Sequence, residues 1–179
     1  MGHRPSLRRL SARLVPLAMV ALLAACTGGR DPSGEPSFYH SLAESGAQLD
    51  APTAAAMISG YRLNNGLNAV TIDPELMALA EAQAQAMAAR DKLGHEVLGP
   101  FRERLRVHGY RAKTAAENIG AGHHTLAEAF SSWRGSPPHN ANMLLDGATR
   151  MGIAAAYSPK SKYKVFWALI LAAPEEGRG

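Results

Sequence analysis

Cysteine is nearly missing from this sequence: among 179 residues, Cys26 is the only thiol. An internal disulfide is therefore excluded, and stability has to come from a packed core. Long apolar runs are missing too. The longest, Leu14 to Ala25, is about a dozen residues, short of the ~18 to 20 that a bilayer-spanning helix needs. An excess of charge outside the N-terminal segment is also lacking. The chain has 19 Lys and Arg against 15 Asp and Glu, but Arg4, Arg8, Arg9 and Arg13 fall within residues 1–25, where no acid occurs, so the remainder is balanced. The basic isoelectric point thus reports the N-terminal segment, and no nucleic-acid partner is expected. Catalytic signatures are equally scarce. No G-x-S-x-G elbow is present, and "GAGHH" at 120–124 lacks the lysine and hydroxyl residue of a phosphate-binding loop. No fixed-period repeat occurs.

What is present begins with an address. Four arginines without an acid, then a short apolar stretch closing in small residues, form a secretory signal peptide over residues 1–25. The stretch ends in Leu23-Ala24-Ala25-Cys26, which resembles a bacterial lipobox, where cleavage leaves an N-terminal cysteine to be acylated. Cys26 is therefore the expected lipidation site. Residues 26–37, including "TGGRDPSGEP", are rich in Gly, Pro, Ser and Thr and read as a flexible tether. Thr27 is not the aspartate that resembles an inner-membrane retention signal, so the expected location is the outer membrane, facing the periplasm. Residues 38–174 have the size of one domain, and 175–179 are read as a disordered tail.

Helix signals dominate the first half of that domain. Residues 53–63 carry Met57, Ile58 and Tyr61 on one side and stop before Asn64-Asn65-Gly66. Asp73-Pro74-Glu75 is an N-cap followed by a first-turn proline and acid, opening a helix to about Lys92 with an apolar stripe of Leu76, Met77, Ala80, Ala84, Met87 and Ala88. Thr125-Leu126-Ala127-Glu128 has the form of a capping box, and Leu126, Ala129, Phe130 and Trp133 follow at helical spacing. Residues 150–157 and 163–172, separated by "SPKSK", read as an antiparallel hairpin, and 115–120 as a third strand. A proline-led helix is expected from Pro137 or Pro138. Helices followed by a small antiparallel sheet imply an α+β fold.

"AENIGAG" at 116–122, Trp133, "SPPHNANML" at 136–144 and "RMGIAAAY" at 150–157, in that order and spacing, resemble the bacterial branch of the CAP superfamily. That group comprises cysteine-rich secretory proteins, antigen 5 and plant pathogenesis-related 1 proteins. The resemblance covers about residues 53–173 and implies an α-β-α sandwich whose central antiparallel sheet has helices on both faces. It also implies a cleft with two histidines and two acids, able in some members to hold a divalent metal. His95 in "GHE" matches the first histidine and Glu117 in "AENI" the following acid. The position of the second acid is Ser136, and that of the second histidine falls in Gly147-Ala148-Thr149, so His139 in the "SPPH" run is the implied replacement.

From residue chemistry alone, two imidazoles and a carboxylate suit zinc or a similar ion, and Glu96 beside His95 is a substitute acid. Against this, Glu117 also reads as a carboxylate accepting backbone amides, His139 as a polar residue at a helix start, and His123-His124 as a solvated loop; His40 and His108 show no partner. Three functions stay open: a cell-envelope module binding a small amphiphile or lipid in a cleft of His95, Glu117 and His139; a metal-assisted hydrolase using those three residues; and a structural or adhesive surface domain. The expected partner in every case is the membrane, through the lipid anchor.

Overall fold

The computed structural model describes residues 1–2 and 34–175, so the expected signal segment from residue 3 on, Cys26, the expected tether before Gly34 and the expected tail from 176 to 179 lie outside the described residues. From Glu35 onward the chain forms one compact unit. Among the described residues no helix is long and apolar enough to cross a membrane.

Local chemistry sets the helices. Asp50 caps α1 (Ala51–Asn64) by accepting from Thr53 N at 3.0 Å, so the helix starts two residues earlier than its apolar pattern suggests. Asp73 caps α2 (Pro74–Arg90) through Glu75 N and Leu76 N, and Asp91, in a left-handed conformation, closes it. The Thr125/Glu128 capping box opens α4 (Leu126–Gly135), and Pro137 starts α5 (Pro137–Met143). The sequence reading missed α3 (Phe101–Val107) and the two-residue strand β1 (Thr71–Ile72).

The strands β2 (Ala112–Ala121), β3 (Arg150–Tyr157) and β4 (Val165–Pro174) lie in the order β1-β3-β4-β2. β4 is central and antiparallel to both β2 and β3, while β1 adds a short parallel pair beside β3. The alternation of side chains along β4 divides the core into two layers. Val165, Trp167, Leu169 and Leu171 join Ile58, Leu126, Ala129 and Trp133 on the face covered by α1, α4 and α5. Phe166, Ala168, Ile170 and Ala172 join Leu76, Ala80, Ala84, Met87 and Leu105 on the face covered by α2 and α3. This is the α-β-α sandwich expected from the resemblance. Trp133 and Trp167 meet edge to face with centroids 6.3 Å apart, and the Trp133 indole donates to the Ile119 carbonyl at 3.1 Å.

Two contacts fix the layers. In the first, Arg62 on α1 is fully buried and donates to the carbonyls of Asn68, Met143, Leu145 and Ala148 at 2.8 to 3.0 Å. These include the last turn of α5, where a cation suits the negative helix end. In the second, α2 lies directly on β3 at Gly152. A Cβ there would overlap the carbonyl group of Leu76 and the amide of Met77, all backbone atoms with nowhere to go. Gly60, within α1, has open space around it. We expect Gly152→Ala to prise α2 from the sheet and lower stability by ~3 kcal/mol or more, as overpacking against a rigid backbone does. Gly60→Ala should instead stabilise by ~0.5 to 1 kcal/mol; chemical denaturation of the two variants checks the contrast.

Candidate functional site

Glu117 sits mid-way along β2, opposite Ile170 of β4, with its side chain turned toward the α2/α3 layer and 1% exposed. A carboxylate so deeply buried needs partners for both oxygens. Oε2 accepts from Arg104 at 2.7 Å, and Oε1 lies 2.9 Å from His95 Nδ1. The sequence reading placed His95 and Glu117 in one site, and the structure brings them into direct contact. It missed Arg104, the third member. Arg104 lies on α3, itself 6% exposed, and also donates to the carbonyls of Gly99 and His95 at 3.3 and 3.2 Å. Gln83 of α2 holds the same loop by donating to the carbonyls of Gly94 and His95. With Nδ1–H donating to Glu117, the His95 ring turns its Nε2 edge outward, and the side chain is half exposed.

His139 is on the other side of β2. Asn118, next along the strand from Glu117, points to the α5 layer, where its amide donates to the His139 carbonyl at 2.9 Å and accepts from Asn142 at 2.9 Å. The His139 Nδ1 is buried without a hydrogen-bond partner among the described residues. Burial, and after it the charge on His95, hold the His139 pKa below the usual 6.5, so the ring is neutral at neutral pH. His139 therefore senses His95 across the edge strand, but of the two only His95 touches Glu117.

The remaining candidates have other roles. Glu96 is exposed and forms no side-chain hydrogen bond or ion pair among the described residues; its carbonyl accepts from Gly99 N. His123 and His124 act through their backbone, the former accepting from the Trp167 indole at 2.7 Å. The His40 ring lies 2.9 Å from the Glu35 carbonyl, so it does have a partner. The donor set does not fit a three-ligand metal centre. Both Glu117 oxygens are taken, and no group of three or more His, Cys, Asp or Glu side chains among the described residues could hold an ion.

Beside this cluster, between α2 and α3, lies a cavity of about 250 Å³ lined by Leu79, Ala82, Leu98, Val107, Arg104, Glu103 and His108. Arg104 thus serves both places: its guanidinium holds Glu117, and the same residue forms part of the cavity wall.

The family model for the cysteine-rich secretory protein (CAP) family matches residues 55–171. The chain belongs to this family. Solved structures give the same fold. An outer surface protein of Borrelia burgdorferi aligns with a TM-score of 0.60 at 18% identity, covering 73% of this chain and 99% of that one. An extracellular protein with an SCP domain from Bacillus anthracis aligns with a TM-score of 0.59 at 21% identity, covering 68% of this chain and 39% of that one. A cysteine-rich secretory protein of Staphylococcus aureus aligns with a TM-score of 0.55 at 18% identity, over 73% of this chain and 40% of that one. This CAP chain therefore spans about two fifths of the Bacillus and Staphylococcus proteins. No curated protein sequence matches it.

The buried ion pair yields a direct test. Arg104→Met strands the Glu117 carboxylate and should cost ~3 to 5 kcal/mol. Arg104→Met combined with Glu117→Gln removes the orphaned charge and should recover part of the loss. Denaturant unfolding of the two variants measures it; equal losses would mean that Arg104 contributes packing alone.

Proposed function

We propose that this CAP chain is an exported, lipid-anchored binding module of the bacterial cell envelope that holds a small amphiphile, with its apolar part between α2 and α3 and its polar part beside Arg104 and His95. The observation that carries the reading is the α2/α3 cavity. Leu79, Ala82, Leu98 and Val107 give it apolar walls, and Arg104, Glu103 and His108 supply charged or polar groups. Small-molecule sites have this make-up, apolar surface with a few placed polar groups. At about 250 Å³ it lies just under the ~300 to 1,000 Å³ of typical ligand pockets, which selects a short-chain ligand. Binding also agrees with the state of Glu117, whose oxygens are committed to Arg104 and His95 and not free to ligate a metal. The metal-assisted hydrolase would need Glu117 to give up one of those partners.

Export and anchoring are supported by the signal segment and the Leu23-Ala24-Ala25-Cys26 lipobox, and by similarity to proteins described as extracellular or as an outer surface protein. Several acyl chains on Cys26 would anchor firmly, where one alone gives only marginal binding.

Two measurements test the proposal. Ala82 is half-buried on the cavity wall, and Ala82→Phe should fill the space without breaking α2. Solvent extraction and mass spectrometry of the purified chain should find a bound amphiphile that the Ala82→Phe chain has lost, at an unchanged melting temperature. A chain with no extractable ligand, or one retained in full by Ala82→Phe, overturns the reading. For the anchor, Cys26→Ser should move the chain from the membrane fraction to the soluble fraction; complete retention in membranes would remove Cys26 as the attachment point.

A further inference from the structure

The balanced charge of the domain conceals a separation. Residues 101–115, "FRERLRVHGYRAKTA", carry five Lys and Arg against one acid, whereas the other described residues carry eight against twelve. Of the five, Arg104 is turned inward to Glu117, and the other four, Arg102, Arg106, Arg111 and Lys113, are exposed around one open concavity of about 730 Å³. Acids temper them in part. Glu103 pairs with Arg106 at 2.5 Å, and Glu175 lies 3.5 Å from Arg111. Arg102 has no carboxylate partner among the described residues, and the rim keeps a positive excess.

Exposed apolar side chains border the other flank of α3, whose outer face leaves Arg102, Glu103, Arg106 and Val107 exposed side by side. Leu98 and Val107 are 41% and 67% exposed, two of the six large hydrophobic side chains so exposed between residues 34 and 175. Leu98 and Val107 border one cavity against α3, on the side of that helix away from the basic concavity. Cations with apolar side chains beside them are what an interfacial surface presents to a bilayer: the apolar groups enter the headgroup boundary while Lys and Arg meet anionic phosphates.

We propose that α3 and its flanking segments are a membrane-docking face that takes the anionic headgroups of a phospholipid surface. The cations supply attraction and orientation, and Leu98 and Val107 supply shallow insertion. Because eleven of the thirteen described acids lie elsewhere, Glu103 and Glu175 being the two on the rim, the domain approaches such a surface with this face first. The proposal shares Leu98 and Val107 with the amphiphile cavity, but its basic rim lies outside that cavity, and it does not need the anchor at Cys26.

The test uses the full chain carrying Cys26→Ser, which leaves no thiol, with one cysteine restored at Val107 on the docking face or at Leu63, 58% exposed on α1 in the opposite layer. Each is labelled with an environment-sensitive fluorophore and titrated with vesicles of phosphatidylcholine alone or with added phosphatidylglycerol. Both chains share the N-terminal segment, so its own membrane affinity affects them alike. The Val107 label should shift to the blue only with phosphatidylglycerol and only at low salt, while the Leu63 label stays unchanged. Each cation near an anionic surface is worth about fivefold in affinity, so Arg102→Gln with Lys113→Gln should weaken the Val107 response more than tenfold without changing thermal unfolding. Equal responses at Val107 and Leu63, indifference to phosphatidylglycerol, or unchanged affinity in the double variant overturns the proposal. So does binding to an anionic polysaccharide such as heparin with no response to vesicles.

Discussion

The buried carboxylate of Glu117 is the constraint around which one side of this molecule is arranged. A charge that is 1% exposed costs several kcal/mol unless it is matched by an opposite charge and by hydrogen bonds to both oxygens. Arg104 meets the first demand, which obliges α3 to pack with its guanidinium facing inward although four of its seven residues are charged. His95 meets the second, and to reach Oε1 the loop after α2 must fold back over the sheet. Gln83 and Arg104 then share the task of holding that loop by its carbonyls. The helix, the loop and the half-exposed imidazole are therefore consequences of one acid in an edge strand.

The same edge strand joins the two layers. Glu117 faces α2 and α3 while its neighbour Asn118 faces α5, because successive strand residues point to opposite sides. Asn118 and Asn142 carry the connection across to the backbone of His139. The far end of α5 is gripped by Arg62, a guanidinium fully buried among carbonyls and without a paired carboxylate among the described residues. Rigid polar links thus bracket the short helix at both ends. The two histidines are set by separate networks on either side of β2, which is why His95 helps to lower the pKa of His139 without the two sharing a ligand.

Much of the fold was legible in the sequence because its signals are local. The Asp73-Pro74 start, the Thr125/Glu128 box and the proline opening of α5 announce themselves within four residues, and the limits of β3 matched its apolar run. His95 and Glu117 were legible as a pair through the family resemblance. What stayed hidden depends on distant partners. α3 reads as a charged surface run, since nothing local says that Arg104 will be buried against an acid 13 residues away. Arg62 lies on the apolar stripe of α1 with Ala54 and Ile58, where a cation is unexpected until the carbonyls some 80 residues on are in place. β1 is two residues long and parallel, too short to carry a period. The three residues expected in one cleft are arranged unevenly: His95 contacts Glu117 directly, Arg104 takes the other carboxylate oxygen, and His139 belongs to the α5 layer.

The glycine seam between α2 and β3 also acts on assembly. Because backbone meets backbone at Gly152, the helix can seat only where a residue without a side chain passes beneath Leu76. A slip of β3 by one residue would bring Met151 or Ile153 to that spot with its face reversed, and a slip by two would bring Arg150 or Ala154, each with a Cβ that the helix backbone cannot clear. The contact therefore works as a gauge for strand alignment, rejecting misregistered chains at the moment the helix docks.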